Sequence, residues 1–451
     1  MLTDRIRHMP PLQPPSATRR LDVEEVLGAA GFTPFHRKAI AITGIAWTFV
    51  AMEILLVGFT LPLFGSIWGL SATWLGWIGA SALAGSLVGS LLLGRLADQM
   101  GRKRIFQASI LWYSIFTALT ALAWGPASLF GFRFLAGVGL GGMLVVDPSL
   151  LAEYLPPQRR GRFLVLLDFF WPIGLLIAVG LSWVFLDRLD GAWRWLFVAA
   201  AVPAFLAYVA RRALPESPYW LARHGRLAEA AGVLGDITGH PVHADSLAVS
   251  EEPSSSPREL FRTPLRATSA VIILVWIALN VSYYALFIWL PGVLGSEGKV
   301  TLNAYILLTL VALAQFPGYA ASLWLVEAWG RKPTLATFLA LGGVSALTFA
   351  LAHSTAVYIA ALFFVGFFNL GAWGAVYPYT SELFPTRLRS TAFGMVEGVG
   401  KAAAIAGPYL FGYLLDVTGA TVWSLTFVAA VMAAGALVTL LGRETRGAKL
   451  T

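Results

Sequence analysis

Mostly apolar stretches, each on the order of 20 residues long, alternate with short polar connections along the chain. They run over 39–62, 72–96, 104–124, 127–154, 162–186, 192–212, 267–291, 302–325, 333–352, 355–381, 390–414 and 421–441. A helix of about 20 apolar residues crosses a bilayer core, so the pattern predicts an all-α membrane protein with 12 transmembrane helices. Pro62 and Pro291 are read as ending spans 1 and 7, since proline removes a helix N–H. The longest polar stretch lies over 214–264 and separates two sets of six spans. The expected organisation is an N-terminal arm over 1–35, a six-helix bundle over 36–213 and a central loop over 214–264. A second bundle over 265–442 and a tail over 443–451 complete it.

Composition agrees with that reading. Hydrophobic residues make up 57% of the 451 and charged ones 12%, with a mean hydropathy of +0.72. Soluble domains carry about 25% charge. The absence of cysteine removes disulfides, thiolate metal sites and Cys nucleophiles. The six histidines are scattered, and only His353 touches a predicted span, so no metal site is expected. The first 35 residues are polar and Pro-rich without an apolar core, so no signal peptide is expected there.

The net charge of +8 raises the question of a nucleic-acid partner. Charge placement answers it. Of the 32 Lys and Arg residues, 27 fall in the arm, the tail and the connections on their side of the membrane. Only Arg188, Arg194 and Lys299 fall in the opposite connections, and Arg133 and Lys401 lie inside spans. This is the positive-inside asymmetry, which predicts a cytoplasmic or inner membrane with both termini cytoplasmic. The basic balance therefore reports topology in a lipid bilayer, and no nucleic-acid partner is expected.

A shift of 229 residues brings the halves into register. Pro62 meets Pro291, and Asp98, Gly101, Arg102 and Lys103 meet Glu327, Gly330, Arg331 and Lys332. Glu153, Pro156 and Arg160 meet Glu382, Pro385 and Arg389, and Asp168 meets Glu397. Two parallel repeats about an axis along the membrane normal place a binding site between them.

Several motifs carry a family resemblance. The connection Gly94-Arg-Leu-Ala-Asp98-Gln-Met-Gly101-Arg102-Lys103-Arg104 resembles the signature loop of the major facilitator superfamily. Arg133-Phe-Leu-Ala-Gly137-Val-Gly139-Leu-Gly141-Gly142 resembles the fourth-helix pattern of its proton-coupled members, and Pro215-Glu-Ser-Pro-Tyr-Trp-Leu221 a sugar-porter motif. Phe367 to Arg387 and Ser282 to Pro291 resemble bacterial niacin-type permeases and the related synaptic-vesicle and organic-ion transporters. The resemblance covers 36–447 and implies two pseudo-symmetric six-helix bundles working by alternating access. The chain departs from similar permeases at Val50, Met143, Glu397 and Lys401.

Ionisable groups deep in a bilayer are costly, so each is a candidate site. By helix rise, Glu53 lies about 22 Å above the inner face and Arg133 about 21 Å, in a core about 30 Å thick. An Arg beside a carboxylate favours its charged form. Glu53 is thus expected to load and release a proton while Arg133 competes with substrate for it, as the resemblance to proton symporters also implies. A permanently closed structural pair is the alternative. Lys401 falls about 18 Å from the inner face, one turn from Glu397. It is read either as the cation that meets an anionic substrate or as half of a self-neutralising i,i+4 pair. Asp168, about 9 Å inside span 5, and Asp147, before Pro148, are read as inner-cavity acids. Pro148 leaves open a broken, cavity-lining segment.

Trp373, Tyr377, Tyr283 and Tyr284, with Asn369, Asn280 and Gln315, suggest an aromatic or polar organic substrate; interface belts and interhelical hydrogen bonds are the alternatives. The resemblance also implies a cytoplasmic gate of Gly94, Asp98, Gly101, Arg102, Arg104, Glu153, Arg160, Glu327, Arg331, Glu382 and Arg389, with acids such as Glu153 and Glu382 pairing with loop arginines and with Arg443-Glu-Thr-Arg446. The expected function is a monomeric, cofactor-free, proton-coupled symporter of a small organic metabolite, most sharply an aromatic monocarboxylate such as nicotinate. Sugar or polyol transport, organic-cation transport, proton-antiport export and a transporter-fold sensor are the rivals. No catalytic Ser/His/Asp set or phosphate-cradling loop supports an enzyme.

Overall fold

A bilayer offers the backbone no hydrogen-bond partners, so each spanning segment must satisfy its own N–H and C=O groups by coiling. The computed structural model describes residues 21–157, 163, 166–189, 192–248, 256–296 and 303–447. Twelve long helices stand among the described residues. The first half holds α1 (Pro34–Trp68), α2 (Ala72–Met100), α3 (Arg102–Thr120), α4 (Pro126–Tyr154), α5 (Trp171–Ser182) and α6 (Trp193–Arg211). The second holds α7 (Arg266–Ser296), α8 (Ala304–Ala328), α9 (Arg331–Leu351), α10 (Thr355–Glu382), α11 (Thr386–Thr418) and α12 (Thr421–Leu440). Beyond Ser182, α5 continues as a wider π-type turn over Trp183–Arg188.

Nine helical stretches among the described residues are long and apolar enough to cross a membrane on composition alone. The other three are α3, α6 and α11. Arg102, Lys103 and Arg104 open α3, the apolar stretch Trp193–Val202 of α6 is short, and α11 carries Glu397, Lys401 and Asp416.

Glycine sets the spacing within each half. A Cβ at Gly85, Gly89, Gly137 or Gly141 would strike the carbonyls of Phe134, Val138, Ala82 and Ser86 on the facing helix, so α2 and α4 pack backbone to backbone. The second half repeats the device: a Cβ at Gly318 would strike Phe367 and one at Gly366 would strike Val311, joining α8 to α10. Gly94, singled out from the signature loop, makes only ordinary contact, its Cβ position lying 3.4 Å from Val145 Cγ1.

The halves meet most closely at the end remote from the arm and tail. Gly58 faces the Ile288 carbonyl, Gly76 that of Pro408, and Gly412 that of Ala72. Asp416 accepts the first free amides of α2, from Ala72 at 2.8 Å and Thr73 at 2.7 Å. That end of the junction is closed.

The expectation for Pro62 and Pro291 changes. Pro62 and Pro291 do not end helices: α1 runs on to Trp68 and α7 to Ser296. Neighbouring helices let a spanning helix tolerate proline, and the Pro62 ring sits against Gly292. Likewise α4 passes through Pro148 unbroken. The described part of the arm is structured, with a short helix over Val23–Ala30. Leu21 bridges to Ser246 and Ala248 at 2.6 and 2.8 Å, and Thr33 donates to Ile237 at 2.7 Å, tying arm to central loop. His36 consequently lies inside α1, buried, with Nε2 3.0 Å from the Tyr154 carbonyl.

Candidate functional site

Because the halves lean together at one end, their inner faces enclose a cavity at mid-depth. About 700 Å³ of empty space lies there, its open side included. Trp47, Trp171, Trp276, Tyr283, Tyr284, Trp373 and Tyr377 line it, together with the polar residues Asp168, Glu397, Lys401, Asn280 and Ser86. Both halves contribute. Trp171 of α5 donates its indole N–H to the Tyr283 hydroxyl of α7, and the Tyr319 hydroxyl of α8 donates to Asp168 at 3.0 Å. Lys401 Nζ stands 3.0 Å from Glu397 Oε1, one turn away on α11. Asn280 donates to the Trp276 carbonyl at 2.9 Å, which fixes its amide at the wall.

The structure therefore gathers Asp168, Glu397, Lys401, Trp373, Tyr377, Tyr283, Tyr284 and Asn280 around one space. It leaves three expected residues outside. Asn369 precedes the lining residue Leu370, so it is turned about 100° around α10 and faces Met432 of α12 at 4.0 Å. Gln315 is fully buried one turn along α8 from Tyr319, outside the lining. Asp147 is fully buried beside Tyr113 within the first half.

Glu53 and Arg133 meet, as their depths predict. The guanidinium pairs with Glu53 Oε1, and its second amino group donates to the Glu53 carbonyl at 2.9 Å. Thr117 of α3 donates to the same carboxylate at 2.7 Å, and Phe197 of α6 lies under the guanidinium at 5.4 Å. Both charged side chains are excluded from solvent. The pair is enclosed by four helices of the first half and does not line the cavity, so substrate cannot reach the carboxylate directly in this state.

A second set of charges lies at the end bearing the arm and tail, built twice. Arg102 pairs with Asp98 and with Glu153, the latter at 3.1 Å; Arg331 pairs with Glu327 at 3.0 Å and with Glu382 at 2.9 Å. Gly101 and Gly330 hold φ of +103° and +118°, the left-handed region where glycine alone is unstrained. Arg389 donates to the Ser381 carbonyl at 2.8 Å. Arg104 is exposed, and Arg160 lies outside the described residues.

Sequence reasoning missed the acids that complete these sets. Glu216 accepts the Lys103 amide at 3.0 and 3.2 Å, capping α3. Glu444 accepts the amides of Arg331 at 3.0 Å and Lys332 at 3.1 Å, capping α9. Each is followed by a hydroxyl residue against the helix-end acid: Ser217 stands by Glu153, and Thr445 donates to Glu382 at 2.8 Å. The signal was present. Both α3 and α9 begin on Gly-Arg-Lys with no side chain to cap them, and Pro-Glu-Ser and Arg-Glu-Thr recur after the sixth helix of each half.

Among the described residues, no group of three or more His, Cys, Asp or Glu side chains could hold a metal ion. Comparison with known proteins places these features in context. A model of the family described as "Sugar (and other) transporter" matches residues 29–450. The chain is 34% identical to the "Niacin transporter NiaP" of Acinetobacter baylyi, over 92% of this chain and 96% of the relative. It is 32% identical to the "Putative niacin/nicotinamide transporter NiaP" of Bacillus subtilis, over 92% and 98%. In fold it is similar to the partially occluded inward-open xylose transporter XylE of E. coli, with a TM-score of 0.75 at 19% identity over 93% of this chain and all of that one.

Proposed function

The chain belongs to the sugar (and other) transporter family and is an integral membrane transporter of small molecules, and on that premise we propose that it is a proton-coupled symporter for an aromatic monocarboxylate such as nicotinate. The observation that carries the coupling is the dry Glu53–Arg133 pair. A carboxylate held in a membrane interior by one arginine and one hydroxyl is a site where a single proton changes the local charge balance. Protonation of Glu53 breaks the ion pair while Arg133 keeps its contact to the Glu53 carbonyl, and the helices that carry the two side chains, α1 and α4, can then shift relative to the cavity wall. The coupling is transmitted through α1, which also supplies Trp47 to that wall, and not by direct contact with substrate.

The aromatic wall and Lys401 support the substrate class, as does the named substrate of the niacin relatives. With both termini in the cytoplasm, the closed end of the junction is the outer one. The charge sets of Arg102 with Glu153 and of Arg331 with Glu382 then lie at the cytoplasmic surface as a conformational latch in a monomer, whose halves span 36–213 and 265–442. The test is uptake of labelled nicotinate into liposomes holding the purified protein. Accumulation should follow an imposed pH gradient, acid outside, and collapse with a protonophore; uptake that ignores the gradient overturns coupling, and no uptake overturns the substrate.

A further inference from the structure

We propose that the cavity binds its ligand as a zwitterion, a flat ring carrying a carboxylate at one edge and a positively charged nitrogen at another; this rests on the aromatic-monocarboxylate reading and narrows it. The cavity brings two carboxyl groups and one ammonium together. Lys401 lies 3.0 Å from Glu397 and offsets it, which leaves Asp168 as a second carboxylate among the described lining residues. The Tyr319 hydroxyl donates to it at 3.0 Å, Trp47 and Tyr377 stand beside it, and the charged group near it is another acid, Glu397. A simple anion such as benzoate would bring a carboxylate to Lys401 and offer nothing to Asp168. A ring nitrogen bearing a proton or an alkyl group gives Asp168 a cationic partner within the same ligand that brings a carboxylate to Lys401.

The walls suit that cation. Trp47, Trp171, Trp276, Tyr283, Trp373 and Tyr377 line the cavity, and aromatic faces attract cationic rings and quaternary nitrogen. The opposite need, for a carboxylate, is also met. Trp373 Nε1 is a buried donor with no hydrogen-bond acceptor among the described residues, and Lys401 Nζ faces Glu397 Oε1. An ammonium carries three N–H bonds, so its ion pair with Glu397 leaves donors to spare. Asp168 and Lys401 sit on opposite halves of the fold, on the approach to α5 and on α11, so a zwitterion would join the halves through its two charges. A pyridine carboxylic acid meets both demands once its ring nitrogen is protonated, with that proton held between nitrogen and Asp168.

The test uses three rings of one shape on the purified full-length protein in detergent, with binding followed by isothermal titration. These are N-methylpyridinium-3-carboxylate (zwitterion), benzoate (anion) and N-methylpyridinium (cation). The zwitterion should bind about tenfold or more tighter than either, the scale of one charged hydrogen bond. Asp168→Asn, whose amide oxygen still accepts from Tyr319, should remove that preference and improve benzoate binding. Tyr319→Phe, which deletes the hydroxyl but keeps the charge, should preserve the ranking and thus separates charge from structure. Benzoate binding as tightly as the zwitterion, or Asp168→Asn weakening all three alike, overturns the zwitterion and leaves the carboxylate reading standing. Tightest binding by N-methylpyridinium, or binding by none of the three, overturns both.

Discussion

Arg133 holds Glu53 at two points, pairing with its carboxylate and donating to its backbone carbonyl at 2.9 Å. The second contact fixes the arginine to α1 whether or not the carboxylate is charged, so protonation changes the electrostatics without releasing the whole side chain. Glu53→Gln keeps the shape and the Thr117 contact but removes the proton site. Uptake driven by a pH gradient should fall to the level of empty liposomes, while exchange of labelled for unlabelled substrate continues. A Gln variant that still concentrates substrate would remove Glu53 from the coupling.

Arg133→Ala tests the pair from the other side. It strands a carboxylate in an environment with no water, which costs about 3–5 kcal/mol in buried pairs of this kind. The melting temperature of the purified protein should drop markedly. Adding Glu53→Gln should restore much of the loss, because the uncompensated charge is gone. Equal melting temperatures for the single and double variants would mean that the two side chains do not interact energetically.

Much of this was legible in the chain itself, and the remainder has physical reasons. Hydropathy located the spans because lipid imposes one length and one polarity on all of them, and Glu53 and Arg133 could be paired because helix rise converts residue number into depth. Depth is not direction. Asn369 and Leu370 are neighbours in sequence, yet only Leu370 reaches the cavity, because rotation about α10 depends on packing that no single span encodes. Pro62 was misread because its effect is set by the neighbour at Gly292, more than 200 residues on. Glu216 and Glu444 were overlooked because their partners are backbone amides, which leave no trace in a search for opposite charges.

The α2–α4 contact yields a steric prediction. A side chain at Gly137 would meet the Ala82 carbonyl, which belongs to the backbone and cannot swing away. Gly137→Val should therefore cost about 1–3 kcal/mol or more through overpacking, seen as loss of the monodisperse peak in size-exclusion chromatography. Gly94→Ala is the control, since its Cβ would find Val145 at an ordinary 3.4 Å. Equal behaviour of the two variants would show that the helices can separate freely.

Glu444 offers a pH test outside the membrane helices. Burial pushes its carboxyl up, but the amides of Arg446, Arg331, Thr445 and Lys332 outweigh that and hold it below the ordinary glutamate range. A group whose pKa is depressed on folding stabilises the folded state above its unfolded value, about 4.3, and loses that contribution as pH falls through the folded value. At about pH 7, Glu444→Gln should be less stable by about 0.3–1 kcal/mol, the scale of a partly exposed charge at a helix N-terminus. The gap between wild type and variant should then narrow as the pH is lowered past 4.3, measured as paired melting curves in detergent. A gap of the same size at both ends of the titration would assign the effect to hydrogen-bond shape and not to charge. In that case the shape of the carboxyl group, charged or neutral, would be what caps α9.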